Sequence, residues 1–165
     1  MLYLLDANVL IDAHRDYYPL ERVPEFWGWL VDCGTEQRVK IPLEMYEEVL
    51  AGNDDALTRW LRDNRDALLL DENVEEDLVA HVSDSGYAQD LSDEEVERLG
   101  RDPFLIAYAL GDPTGRTVVT TEVSKPSKRR ANRHIPDVCD DLHVLHCNTY
   151  QFIRALDFTT DRQPG

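Results

Sequence analysis

Little in this chain speaks for a disulfide scaffold, a membrane protein or a general nucleic-acid binder. Its 165 residues include only three cysteines, Cys33, Cys139 and Cys147. That odd number follows a start, Met1 to Asp6, with no basic segment of the kind a secretory signal carries. Reduced thiols in a cytoplasm are therefore expected. No apolar run approaches the roughly 18–20 residues of a membrane helix. Internal repeats and low-complexity linkers are absent. Basic residues are few, 17 against 33 acids, giving a net charge of −16. Only three of the 17 are lysine. Phosphate affinity comes from Lys and Arg, so a protein that holds nucleic acid by its whole surface is excluded. A local catalytic site is not. The arginine and aspartate bias fits a GC-rich genome, and the acid excess also fits a salt-adapted cytoplasm.

What is present describes one packed domain. A chain of this length buries about 70% of its unfolded surface and needs no staple. Leu2 to Leu5 is a continuous apolar run ended by Asp6, the pattern of a buried parallel strand. Asn8 suits the cap of a following helix. Pro24 suits a first helical position, with Phe26, Trp27, Leu30 and Val31 spaced as a helix face up to Gly34. Val39–Ile41 reads as a second strand, Leu43–Leu50 as a helix ended near Gly52, and Asp54–Leu68 as one further helix. Leu68–Leu70 is a candidate strand. Helices are expected over Glu75–Val82 and Ser92–Leu99, the latter opened by a capping box, and from Asp102-Pro103 to Leu110. Thr117–Thr120 is a β-branched strand. A helix at Pro136–Leu142, a strand at Val144–Cys147 and a helix at Thr149–Leu156 complete the chain. Strands alternating with helices predict an α/β fold around a short, mostly parallel sheet. Residues 1–158 are expected to form the domain, and 159–165 a disordered tail.

In such sheets, sites form beyond the carboxyl ends of the strands. Asp6 ends the first strand. Glu48 lies one turn into the helix after the second, with Glu44 a turn earlier. Asp102 opens the apolar helix, and Glu122 follows the Thr117–Thr120 strand. Four carboxylates converging on one edge repel unless a cation neutralises them, and hard divalent ions suit oxygen ligands. Helix capping is the competing explanation for each acid taken singly.

These residues resemble the motifs of PIN-domain ribonucleases. Leu4-Leu5-Asp6-Ala7-Asn8-Val9-Leu10-Ile11 looks like the family's opening motif. Ile41-Pro42 with Glu48-Val49-Leu50-Ala51-Gly52 resembles the second, Asp102 with Leu105 to Ala109 the third, and Thr120-Thr121-Glu122 the fourth. The opening and Ile135 to Cys139 also resemble a poorly characterised bacterial and archaeal PIN-like subfamily. The resemblance implies a three-layer α/β/α domain and Mg²⁺- or Mn²⁺-dependent hydrolysis of RNA, using one or two ions. Asp6, Glu48, Asp102 and Glu122 would be catalytic metal ligands. Asn8, Glu44 and Thr120 would support them. Apart from the resemblance, Asp137 is a candidate fifth acid and metal ligand near the site, with capping of its helix as the alternative. Many relatives are toxins paired with an antitoxin or inhibitor protein, and many dimerise. Two departures stand out: Glu122 is one methylene longer than the usual Asp, and the stretch from Asp71 to Gly100 exceeds the compact toxin pattern.

Further readings stay open. Lys125 to His134 carries five fixed positive charges, on Lys125, Lys128, Arg129, Arg130 and Arg133, and no acid. It reads either as a phosphate-binding loop or as a solvated offset to the acidic surface. Cys139 and His143 share a helical spacing compatible with zinc, although burial of the cysteines as small apolar groups is the simpler reading. Trp27, Trp29, Tyr46, Trp60 and Tyr108 read as core rather than as base-stacking platforms. A phosphatase using an Asp at the first strand end would want a second Asp where Asn8 stands. From another class, the chain reads as a non-catalytic acidic interaction protein.

Overall fold

The computed structural model describes residues 1–52 and 55–160. The helix start expected at Asp54 lies outside those residues, as does the expected tail from residue 161 onward. Strand β1 (Leu2–Leu5) leads into α1 (Ala7–Asp12), which continues as a wide i→i+5 turn over Ala13–Tyr17. Then come α2 (Pro24–Thr35), β2 (Val39–Lys40), α3 (Leu43–Leu50), α4 (Ala56–Asp63) and α5 (Arg65–Leu68). The middle holds α6 (Glu76–His81), a second wide turn (Val82–Tyr87), α7 (Asp93–Leu99) and α8 (Asp102–Leu110). Strand β3 (Arg116–Val119), a tight turn at Arg130–Asn132, α9 (Ile135–Asp141), β4 (His146–Cys147) and α10 (Thr149–Ala155) follow.

All four strands run parallel in the order β2-β1-β3-β4. Successive strand residues face opposite sides of a sheet. Leu4 and Leu5 are both fully buried, as are Val118 and Val119, so both faces of the central pair are covered. The fold is thus a three-layer α/β/α arrangement. No helix among the described residues is long and apolar enough to cross a membrane.

Most expected elements form, and the departures have local causes. The single helix expected over Asp54–Leu68 is broken at Asn64, whose side-chain amide donates to the Trp60 carbonyl at 2.8 Å and competes with the backbone ladder. Leu68–Leu70 is no full strand: Leu69 makes one parallel bridge to Ile41 and the chain then leaves. The strand expected at Val144–Cys147 shortens to two residues. The Ser92–Glu95 capping box forms as expected. Asn8 is not the cap of α1; Asp6 holds that position, and Asn8 is exposed.

The core is aromatic on the α2 side. Tyr18 stacks on Phe26 at 4.5 Å, and Phe26 and Trp29 each pack against Phe158. Trp27, Trp29, Tyr46 and Tyr108 are buried as expected, with half-buried Trp60 against Trp27 at 4.7 Å. Gly34 is needed for this packing, because a Cβ there would lie 2.7 Å from the Ala67 carbonyl oxygen. Lys40 is buried in β2 and donates to that same carbonyl at 2.7 Å.

Candidate acidic site at the sheet switch point

Chain connections leave β1 for β2 on one side and reach β3 and β4 on the other. The crevice between the carboxyl ends of β1 and β3 is therefore the topological switch point, where open α/β sheets bind ligands. Asp6 and Thr120 meet there. The Asp6 amide closes the ladder by donating to Val119 O at 3.0 Å, which fixes the direction of its side chain. Asp6 is only 3% exposed, and its Oδ2 accepts the Thr120 hydroxyl at 2.9 Å. Thr120 Oγ1 in turn accepts the Glu122 amide at 3.2 Å.

Helix capping does not account for these acids. Asp6 occupies the cap position of α1 but makes no side-chain cap bond. Asp102 stands in the first turn of α8, and its carboxylate has no hydrogen-bond donor among the described residues. A capping carboxylate would ionise more easily than usual. Both acids do the reverse. Burial, then the charges of Asp6, Glu122 and Glu48, push Asp102 from its ordinary 3.8 up to about 8. Burial pushes Asp6 up to about 6; the hydrogen bonds from the Thr120 hydroxyl and the Ala7 amide oppose this without offsetting it, while Glu48 and Glu122 add to it. Burial also raises Glu48, with the Arg101 guanidinium pulling the other way. Asp6, at the end of β1, and Asp102, in α8, thus both lie in the fields of Glu48 and Glu122, and Asp102 also lies in that of Asp6.

They share a field rather than a closed cage. Among the described residues, no group of three or more His, Cys, Asp or Glu is placed to hold a metal ion as it stands. The donor set nevertheless fits a hard divalent cation in kind: all oxygen, mutually repelling, and with no protein cation bonded to Asp6 or Asp102. One oxygen of Glu122 is already engaged, accepting the Ile135 amide at the start of α9 at 2.7 Å.

Other expected site residues fall elsewhere. Asn8 makes no hydrogen bond to Asp6. Glu44 does not join the four acids: it lies beside Tyr108, and its Oε2 is buried without a partner. Burial, then Glu44 and Glu72, push the Tyr108 hydroxyl up to about 12. Asp137 is an anchor for the loop after β3, accepting Ser124 Oγ at 2.5 Å and the Lys125 amide at 2.7 Å. Its burial alone would raise its pKa, but these bonds with Arg133 and His134 hold it below the ordinary value.

The basic stretch also divides. Arg130 forks onto Glu95 at 2.8 Å and bonds Asp90 at 2.7 Å, holding its own backbone at φ 53°. Arg133 bonds Gly86 O and Asp141 at 2.5 Å and Asp137 O at 3.1 Å. These two arginines tie the loop to the second wide turn and to α7, and their donors are engaged. Arg129 turns back on the Pro126 and Lys128 carbonyls and stays exposed, as do Lys125 and Lys128. The zinc reading fails: Cys139 is fully buried, and His143 is exposed beyond the end of α9.

One residue of the site was not read from sequence. Tyr87 ends the second wide turn, is 8% exposed, and its buried hydroxyl has no hydrogen-bond partner. Burial, then Asp102, Cys139 and Glu122, raise its pKa. Arg133 on Gly86 O holds it in place, and Gly86 packs so close to α9 that a Cβ would meet Val138 Cγ1 at 2.6 Å. No local pattern marks such a turn, although π-type turns are common at functional sites.

The fold and site define an α/β domain with an acidic centre at its switch point. The chain belongs to the family described as a domain of unknown function, DUF4411, whose match spans residues 3–160. No curated protein and no solved structure matches it.

Proposed function

We propose that this protein is a cytoplasmic, metal-dependent endoribonuclease of PIN type. The observation that carries the reading is the pair of buried carboxylates at the switch point, Asp6 and Asp102, each raised first by burial and then by Glu122 and Glu48, with Asp6 also raising Asp102. Repelling carboxylates bind divalent cations, and the resemblance of the four motifs supplies the substrate class. Asp6, Glu48, Asp102 and the unengaged oxygen of Glu122 would hold Mg²⁺ or Mn²⁺. When bound, such ions activate water and stabilise both oxygens of an in-line phosphoryl displacement. Thr120 orients the Asp6 carboxylate. The buried Tyr87 hydroxyl is available to donate to a phosphate oxygen. Exposed Lys125, Lys128 and Arg129 are the cations left to meet neighbouring phosphates. A toxin role with an antitoxin partner, and a homodimer, belong to the same proposal.

Cleavage of single-stranded RNA with Mn²⁺ tests it. Wild type should cleave, and Asp6→Asn should lose cleavage while staying folded. Growth arrest on expression, relieved by Asp6→Asn, would support the toxin role. One observation favours a second reading, a non-catalytic acidic binding protein: no three carboxylates among the described residues form a ready metal cage. Wild type inert with Mn²⁺, free of any co-purifying protein, selects that reading.

A further inference from the structure

We infer that the cavity beside the acidic centre is a subsite for an unpaired nucleobase of the substrate strand, an inference that rests on the nuclease reading. The cavity holds about 420 Å³, within the roughly 300–1,000 Å³ of small-molecule sites. It lies between the loop after β3, the first wide turn and the start of α10. Thr120 and Glu122 line it, and the Thr120 hydroxyl touches Asp6 at 2.9 Å. A ligand seated there is one hydrogen bond from the acidic centre.

Among the lining residues, Asp12 pairs with Arg15 at 2.8 Å, and the His146 ring bonds Asp140 at 2.9 Å. Glu122 sits at the acidic end. The remainder is aromatic and neutral. Tyr17 and Tyr150 line the cavity at 58% and 57% exposure, with ring centroids 6.3 Å apart and planes at 72°. Half-buried Tyr18 also lines the cavity but is stacked on Phe26, so Tyr17 and Tyr150 are its exposed tyrosines among the described residues. Thr149 also lines the cavity, and its Oγ1 is buried without a hydrogen-bond partner among the described residues. A flat, neutral, hydrogen-bonding ring with a phosphate beside it matches this lining. Only an unpaired base presents its face to tyrosines; a duplex keeps its bases stacked on each other.

The test uses the full chain with fluorescein-labelled single-stranded RNA and the same sequence as a duplex. Anisotropy is read in Ca²⁺, and cleavage in Mn²⁺. Tyr17→Ala and Tyr150→Ala should each weaken single-strand binding about 5- to 100-fold. KM should rise more than kcat falls, and Trp at either position should restore affinity. Both rings are exposed, so thermal stability should not change. Wild-type cleavage with unaltered KM in both Ala variants overturns the subsite and leaves the nuclease standing. Equal weakening for duplex RNA overturns the stacking role. A wild type that neither binds nor cleaves RNA removes the nuclease reading and the subsite with it.

Discussion

Replacing Asp102 by Asn should make the metal-free protein more stable at alkaline pH while abolishing cleavage. Asp102 binds its proton more tightly folded than unfolded, with a pKa moved from 3.8 to about 8. Stability therefore falls as pH rises through that window, and the full cost is present above about pH 8. Four units at about 1.4 kcal/mol each set a ceiling of about 6 kcal/mol. Part of the shift is repulsion from Asp6, which relaxes wherever Asp6 itself keeps its proton, and Asn forgoes up to ~1 kcal/mol of favourable charge at the helix start. A gain on the order of 3 kcal/mol remains, or about 6–12 °C in Tm for a chain of this size. Thermal unfolding followed by circular dichroism in EDTA, from about pH 4 to above pH 8, reads it directly. The two curves should converge at the acid end. Adding Mn²⁺ should stabilise wild type more than the variant, because the cation removes the same repulsion. Equal Tm values across the whole range would refute the shared buried field.

Thr120→Val removes the hydroxyl that lies on Asp6 and should cost about 1–3 kcal/mol near neutral pH. It should also move the Asp6 titration above about 6, visible by carboxyl NMR, since that bond holds the value down. Tyr87→Phe deletes a buried, unpartnered hydroxyl and should leave the protein at least as stable, while cleavage slows; unchanged cleavage would make the hydroxyl a bystander. Gly86→Ala should destabilise by about 1–3 kcal/mol in a denaturant titration, because its Cβ must push Val138 away.

Elements whose signals lie within a few residues were legible from sequence. The apolar run Leu2–Leu5, Pro24 at a first helical position, the Ser92–Glu95 box and Asp102-Pro103 at the head of α8 all act through neighbouring backbone. Features set by distant partners were not. The two wide turns and the trimming of β4 depend on what the chain packs against. Lys125 to His134 reads as a uniform basic island, yet Glu95 and Asp90 are 35 and 40 positions from Arg130, and they divide it.

The acids divide the same way. Sequence by itself set Asp6 and Glu122 just past strand ends and Asp102 at the start of α8, because strand and helix periodicity are local properties. It also set the net charge of −16. Tertiary structure decided which carboxylates share a buried field. It joined Asp6, Glu48, Asp102 and Glu122, sent Asp137 to a loop, Glu44 to Tyr108 and Asn8 to solvent, and brought in Tyr87. The physical reason is that desolvation and charge repulsion depend on distance in space. That distance is fixed only when the parallel sheet closes β3 against β1.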